Sequence, residues 1–262
     1  MKMTRSLLVL VVGLLLVMTA ACGGAEPPAA TGGATSAGSA PAATTGGGTG
    51  TAAPAGAGSI RGSITYQGTA PVAEEIKATK DQQVCGKHTH TSETLVVDGN
   101  GGIRYAVVSI DPVQGGKSFD TATPQLDQRG CWFYPHVQIV PAGADMEILN
   151  SDGILHNLHT YPEKNPAINM AQPKFRKVLK TSFAEPDIVR VSCDVHSWMN
   201  AWIVVAKHPY YVVTGEDGSY ELDGVPPGTY TLSAWHETLG TQTQSVTVEK
   251  DGTAEANLTF GG

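Results

Sequence analysis

Short runs in which hydrophobic and polar residues alternate cover the chain from residue 59 to its C-terminus. Examples are SIRGSITY, IRYAVVSI, DIVRVSC, TYTLSAW and QSVTVE. Between them stand clusters rich in glycine, proline, asparagine and aspartate, such as DGNGG, EDG, PPG and KDG. A two-residue period places alternate side chains on one buried face of a strand, and such clusters are typical of turns. The pattern predicts an all-β fold of the sandwich or barrel class.

The first 22 residues differ from this pattern and are typical of an export signal. Two basic residues precede an apolar run from Leu7 to Met18, and small residues then lead to Cys22. The run is shorter than the about 20 residues that span a bilayer. A cysteine in this position resembles the cleavage box of bacterial lipoproteins, in which the cysteine becomes acylated. We expect a lipoprotein signal peptide at 1–22, lipidation of Cys22 and a lipid-anchored, extracytoplasmic protein, periplasmic or on the outer face of the cell membrane. An ordinary secreted protein and an uncleaved anchor are the alternatives.

The next stretch is a low-complexity linker. Apart from Glu26, residues 23–58 are glycine, alanine, threonine, serine and proline. So little apolar surface cannot offset the entropy lost on ordering, and we expect a disordered, flexible tether. The remaining chain divides into an N-terminal β segment at 59–125, a segment at 126–207 that holds four of the eight histidines, and a C-terminal β module at 208–262.

The net charge of the chain limits the classes of partner that it is expected to bind. It has 17 lysine and arginine residues against 24 aspartate and glutamate residues, a formal net charge of −7. It has no basic stripe and no glycine motif that would cradle phosphate. We therefore expect no nucleic-acid or nucleotide partner.

The cysteine count singles out one thiol. With Cys22 used by the lipid anchor, three cysteines remain, an odd number for an oxidising compartment. A disulfide between Cys85 and Cys131 settles the count and leaves Cys193 free. A disulfide to Cys193 is allowed by the count alone, but the neighbours of Cys193 argue against it.

Two segments place metal-binding side chains at strand ends. DMEILNSDGILHN holds His156, and VSCDVHSWMN holds Cys193, His196 and Met199 at three-residue intervals. One thiolate and two imidazoles, with a weak axial thioether, are the ligands of a blue-copper electron-transfer centre. The spacing lets one turn supply three ligands, so that only His156 must come from a neighbouring strand. Four protein ligands leave no open coordination position, and we therefore expect no enzymatic activity.

These segments resemble the cupredoxin family. Residues 133–157, FYPHVQIVPAGADMEILNSDGILHN, are similar to its F-x-P, V-x-x-G, N-x-D and H-N signature, and CDVHSWM is similar to its ligand loop, with the short spacing of amicyanin. The resemblance implies that 126–207 is a copper domain, a cupredoxin-type Greek-key sandwich with one type 1 copper on the four side chains named above. It also implies that Asn157 hydrogen-bonds to the cysteine loop, and that His196 is the ligand nearest the surface and the entry point for electrons.

A second resemblance concerns the C-terminal module. VTGEDGSYELDGVPPGTYTLSAWHE, followed by QSVTVEKDG, resembles the carboxypeptidase regulatory-like domain, a small transthyretin-like β-sandwich. Upstream, GSIRGSITYQGTAPV and VVDGNGGIRYAVVSIDP look like opening strands of the same kind of module. Two arrangements are open. The strands of 59–125 either join this second sandwich around an inserted copper domain, or they complete the cupredoxin barrel.

Together these features predict a membrane-tethered blue-copper protein that carries single electrons between a redox protein donor and acceptor, both expected at the membrane. One alternative is a copper carrier or storage protein that uses the same ligands. Another is a non-catalytic binding module whose working part is the transthyretin-like portion. His88 and His90 in CGKHTHT form either an ancillary metal site or an exposed loop beside the disulfide.

Overall fold

The computed structural model describes residues 53–261. The predicted signal peptide, the acylation of Cys22 and residues 23–52 of the linker lie outside the described residues. One turn of 3-10 helix spans Cys85–Lys87, and nineteen strands account for the rest of the regular structure described. These strands are β1 (Gly58–Gln67), β2 (Glu75–Ile76), β3 (His90–Thr91), β4 (Val107–Asp111), β5 (Gln125–Gln128), β6 (Phe133–Tyr134), β7 (Val137–Pro141), β8 (Asp145–Asn150), β9 (His156–Tyr161), β10 (Asn169–Gln172), β11 (Val178–Ser182), β12 (Asp187–Ser192), β13 (Asn200–Ala206), β14 (Tyr211–Val213), β15 (Ser219–Val225), β16 (Gly228–His236), β17 (Gly240–Val248), β18 (Thr253–Glu255) and β19 (Leu258–Gly261). The all-β prediction is confirmed. Over the described range, no helix has the length and apolar character needed to cross a membrane.

Strands from both ends of the described chain build one sandwich, which we call the terminal sandwich. In its first sheet, β1 pairs antiparallel with β15 and parallel with β18 and β19. The facing sheet has the order β14-β4-β16-β17. Val108 and Ile110 of β4 point into the core between these sheets with Leu232 of β16. This is the buried face that the two-residue period predicts.

The strands β5 to β13 build a second sandwich, which we call the central sandwich. One of its sheets has the order β10-β9-β12-β13-β7, and the other has the order β11-β8-β5-β6. Its core includes Leu126, Ile148, Leu158, Val191 and Ile203, one from each of five strands. The inner faces of both sheets are hydrophobic, as expected for a sandwich, and β13 is buried on its outer face as well, at Val204.

The central sandwich is inserted into the terminal one. The chain leaves the terminal sandwich after β4 and returns to it at β14. Of the two arrangements that the sequence left open, the structure therefore has the one in which β1 and β4 join the C-terminal strands. Val107 of the terminal sandwich packs with Val137 and Val204 of the central sandwich. The segment between β1 and β4 is also joined to the central sandwich, by a disulfide between Cys85 and Cys131.

Candidate metal centre

Two adjacent strands set the positions of the predicted donors. His156 is the first residue of β9, and Cys193 follows directly after β12. These strands are antiparallel, with the last residue of β12 opposite His159. Continuing this register places His156 opposite Val195, between Cys193 and His196. The backbone pairing therefore brings the three donors to one end of the central sandwich.

The donor atoms meet in a buried group, which we call the ligand cluster. The Sγ atom of Cys193 lies 3.9 Å from Nδ1 of His156 and 3.8 Å from Nδ1 of His196. The two Nδ1 atoms are 3.0 Å apart. All three side chains are buried. The donors are close enough together for a single ion to contact all of them.

A short turn between β12 and β13 carries Cys193, His196 and Met199. The backbone N–H of Met199 donates to the carbonyl oxygen of His196 (3.0 Å), and that of Cys193 donates to the carbonyl oxygen of Met199 (3.3 Å). Ser192 and Asn200 pair at the base of the turn. Met199 is completely buried, in the same hydrophobic cluster as Cys193. The turn is closed by its own backbone hydrogen bonds, which limit how far its side chains can move.

A carboxylate orients each imidazole. His156 donates its Nε2–H to Oδ2 of Asp152 (2.8 Å), and His196 donates its Nε2–H to Oδ2 of Asp81 (2.8 Å). A neutral imidazole that donates from Nε2 keeps a lone pair on Nδ1. Both lone pairs therefore point into the ligand cluster. Histidines that bind metals are commonly held in this way, because the carboxylate fixes the tautomer and makes the other nitrogen more basic.

The residues present fit a soft or borderline transition-metal ion. Two nitrogen lone pairs 3.0 Å apart repel each other unless a cation lies between them. A proton can take this place in the metal-free chain, and a metal ion would replace it. Two imidazoles and a thiolate suit copper or zinc, whereas magnesium and calcium prefer oxygen donors.

The same contacts shift the acid–base behaviour of the cluster. Burial raises the pKa of the Cys193 thiol, but hydrogen bonds with His156 and His196 outweigh burial and bring the pKa to about 6. Burial lowers the pKa of His156, whereas Asp152 and Cys193 raise it, and the net shift is upward. Burial also raises the pKa of Asp152, but hydrogen bonds from His156 and two backbone N–H groups hold it below its ordinary value. The thiolate, which is the form that binds metals, is thus favoured at neutral pH.

We expect the Cys193 thiol of the metal-free chain to titrate near pH 6. Its pKa is lower in the folded chain than in the unfolded chain, so the unfolded chain binds the extra proton between the two values. The thiolate then contributes stability that is fully present above the unfolded pKa and is lost as the pH falls through about 6. Ultraviolet absorbance of the thiolate against pH, with Cys193→Ser as the blank, measures this titration. A midpoint at the ordinary cysteine value of about 8.5 would contradict it.

Asn157 connects β9 to the cysteine turn. Its Oδ1 accepts the backbone N–H of Asp194 (2.5 Å), and its Nδ2 donates to Oδ1 of Asn169 on β10 (2.8 Å). His159 lies three residues beyond His156, on the other face of β9. Its Nδ1 is hydrogen-bonded to the carboxylate of Asp194 (2.9 Å). Asn157 and His159 lie on the same face of β9, opposite to His156, and together they hold the residue that follows the thiol.

The side chains of His196 and His156 are both completely buried, so exposure does not set His196 apart as the ligand nearest the surface. Asp81 lies over His196. The backbone N–H groups of Val84 and Cys85 donate to the carbonyl oxygen of Asp81 (2.8 and 2.9 Å). Cys85 forms the predicted disulfide with Cys131, which holds this covering turn on the cluster. Sequence analysis missed Asp81 because no motif marks it, and its only signal is the half-cystine four residues later.

Other candidate side chains pack around the cluster. Trp198 donates its Nε1–H to the backbone carbonyl of Cys131 (3.1 Å), and its ring centroid lies 5.2 Å from that of His196. His90 stacks on Trp132 with a centroid distance of 4.5 Å. Within residues 53–261, His88 and His90 belong to no group of three side chains that could hold a metal ion. In the structure, the His90 ring packs against the Trp132 ring instead.

Comparison with known families identifies the C-terminal module. The model of the carboxypeptidase regulatory-like domain matches residues 198–261, which confirms that resemblance. The match begins in the cysteine turn and includes β13 of the central sandwich, but it leaves out β1 and β4. No curated protein matches the chain in sequence.

Similar solved structures include cupredoxins and a copper enzyme. A Cu(I) variant of amicyanin is 17% identical over 38% of this chain and 98% of its own, with a TM-score of 0.30. A purple cupredoxin from Nitrosopumilus maritimus is 17% identical over 31% of this chain and 98% of its own, with a TM-score of 0.27. A copper-containing nitrite reductase from Thermus scotoductus SA-01 is 21% identical over 37% of this chain, with a TM-score of 0.29, and only 25% of the enzyme chain is covered. Because these TM-scores are low, the comparisons carry no argument about the metal. Its assignment rests on the donor atoms described above.

Proposed function

We propose that the chain binds one copper ion through His156, Cys193 and His196, with Met199 as a weak fourth ligand, and carries single electrons between redox proteins. The observation that carries this proposal is the buried convergence of two Nδ1 lone pairs and one acidic thiol. A thiolate with two imidazoles is the donor set of blue-copper centres. Copper bound there would alternate between Cu(II) and Cu(I).

The surroundings of the cluster favour electron transfer over catalysis. The three donors and Met199 are buried, so no substrate can reach them from solvent. Asp152 and Asp81 hold the imidazoles, and the closed cysteine turn holds the thiolate. Ligands held in this way move little when the charge on the metal changes. Small movement keeps the barrier to electron transfer low, and a missing open position argues against an enzyme.

The wider setting of this function follows from the sequence. We place the protein outside the cytoplasm, attached to the membrane through acylated Cys22 and the linker 23–58. A flexible tether would let the folded part move between a donor and an acceptor in the same membrane. Both partners are proposed to be membrane-associated redox proteins.

Repeated redox cycling tests the function. The copper-loaded full chain is reduced with ascorbate, reoxidised with hexacyanoferrate(III) and cycled again beside a strong Cu(I) chelator. We expect uptake of one electron per copper, full recovery of the visible spectrum and no copper lost to the chelator. Copper that leaves the chain on reduction would overturn the proposal and favour a copper carrier that uses the same ligands.

A further inference from the structure

A basic segment stands out in this acidic chain. Residues 164–184 contain five lysine and arginine residues and no aspartate or glutamate, although the chain as a whole has a net charge of −7. Lys174, Arg176, Lys177 and Lys180 are all exposed. Lys180 pairs with Glu147 (3.4 Å). The other three cations form no ion pair with any residue in the described range. Lys177 donates from Nζ to the backbone carbonyl oxygen of Asn150 (3.4 Å), which carries no charge, so the three positive charges are not neutralised within the described range.

Large hydrophobic side chains are exposed within the same region. Phe175 is 80% exposed, Val178 is 43% exposed and Leu155 is 46% exposed. An exposed phenylalanine flanked by cations is unusual on a monomer surface and is typical of the centre of an interface, where apolar and aromatic groups lie inside a charged rim. We call the surface formed by Leu155, Lys174, Phe175, Arg176 and Lys177 the basic face.

The backbone places the basic face beside the ligand cluster. In the pairing of β9 with β10, Gln172 lies opposite His156. The chain then turns, with the N–H of Arg176 donating to the carbonyl oxygen of Pro173 (2.8 Å), and the N–H of Asn150 on β8 donates to the carbonyl oxygen of Lys177 (2.9 Å). The basic segment thus crosses the same end of the central sandwich as His156. Leu155, which is exposed, is the residue directly before His156.

The other side of the cluster is closed and has no excess of either charge. Asp81 covers His196, and its own side chain is 46% exposed. Residues 74–87, which form this side, carry three acidic and three basic side chains, so a negatively charged partner is attracted to the basic face and not here. Charges of opposite sign steer association over about 10 Å at 0.1 M salt.

We propose that the basic face is the docking surface for a redox protein with an acidic surface, and that electrons enter and leave beside Leu155 and His156 rather than at His196. This inference rests on the proposed function, because the electrons that enter and leave at the basic face are those carried by the same copper site. Phe175 and Leu155 supply the apolar centre of the contact, and the three unpaired cations supply its rim. A redox protein is the occupant we favour, since the face includes Leu155, the residue next to a ligand of the proposed electron carrier.

Oxidation kinetics of the copper-loaded, reduced full chain test the proposal. The test variant is Lys174→Glu with Arg176→Glu, and the matched control is Lys77→Glu with Lys80→Glu. The control pair is also exposed and lies just before Asp81, on the His196 side. The probes are hexacyanoferrate(III), an anion that stands in for an acidic partner, and tris(phenanthroline)cobalt(III), a cation.

At low ionic strength we expect the test variant to react with hexacyanoferrate(III) about tenfold more slowly than the unmodified chain, and with the cobalt complex faster. The differences should shrink as salt is added, and the control should stay within about twofold of the unmodified chain. Equal rates for all three proteins, or a larger effect in the control, would overturn the docking surface. Failure of the unmodified chain to react with either oxidant would instead overturn the proposed function.

The alternative occupant of the basic face is an anionic lipid surface. Binding of the chain to lipid vesicles distinguishes this occupant from a redox protein. Chains carrying Cys22→Ser, which cannot be acylated, are sedimented with phosphatidylglycerol vesicles, with and without Phe175→Ser. We expect no binding in either case. Binding that Phe175→Ser removes would overturn the proposal by assigning the basic face to anionic lipid.

Discussion

Replacing Cys193 by serine abolishes the intense visible absorption that we expect of the copper-loaded chain. The colour of a blue-copper centre comes from charge transfer between a thiolate sulfur and Cu(II), and a serine oxygen provides no such low-energy transition. His156 and His196 remain held by Asp152 and Asp81, so some Cu(II) should still bind. The visible spectrum and the electron paramagnetic resonance spectrum of both proteins measure the effect. We expect narrow copper hyperfine splitting in the unmodified chain and ordinary, wide splitting in Cys193→Ser.

A methionine variant provides the matched control for this experiment. Met199→Leu removes the thioether from a buried position while almost conserving the side-chain volume. It should keep the intense absorption, because the thiolate is still present. Retained colour in Cys193→Ser would show that the thiolate does not bind the metal, and the blue-copper interpretation would then fail. Circular dichroism of the metal-free proteins checks that both variants fold.

Removing the disulfide lowers the free energy of unfolding by about 4 kcal/mol, because the closed loop that it restricts in the unfolded chain is long. The two half-cystines are 46 residues apart in sequence. Both are buried, so Cys85→Ala with Cys131→Ala is the suitable variant, because it introduces no buried hydroxyl group. Urea unfolding of the metal-free chain under oxidising conditions measures the change.

The same variant should also loosen the cover over His196. Asp81 is fixed by the turn that leads to Cys85, and this turn is held on the central sandwich by the disulfide. We expect His196 of the variant to become accessible to a histidine-modifying reagent, while it stays protected in the unmodified chain. An unchanged free energy of unfolding and continued protection of His196 would mean that other contacts hold the covering turn.

Local patterns in the sequence were sufficient to predict the cysteine turn. Cys193, His196 and Met199 lie within seven residues, so their spacing alone determines that one turn holds them. The two-residue alternation in β12 and β16 likewise predicts which side chains are buried, because each strand has one hydrophobic face. Such features depend on neighbours in the sequence and can be read without knowing the fold.

Contacts between distant residues could not be predicted in this way. Asp81 and His196 are 115 residues apart, and a single aspartate in a polar stretch has no distinguishing signal. Strand β1 pairs in parallel with β18 and β19, where hydroxyl pairs such as Ser59 with Thr253 are separated by 194 residues. The alternation in β1 shows that one face is buried, but it does not specify the partner strand. For this reason the sequence left open which sandwich the early strands would join.

The pairing of β1 with the last two strands affects the order in which the protein can be assembled as it is made. Chains emerge from the ribosome with the N-terminus first. All strands of the central sandwich have been synthesised by residue 206, whereas β1 must wait for residues 253–261 before its sheet is complete. A nascent chain can therefore form the metal-binding end of the molecule while its first described strand still lacks all three of its neighbours, β15, β18 and β19. A chain that ended before residue 253 would contain every residue of the ligand cluster and would leave that strand open on one side.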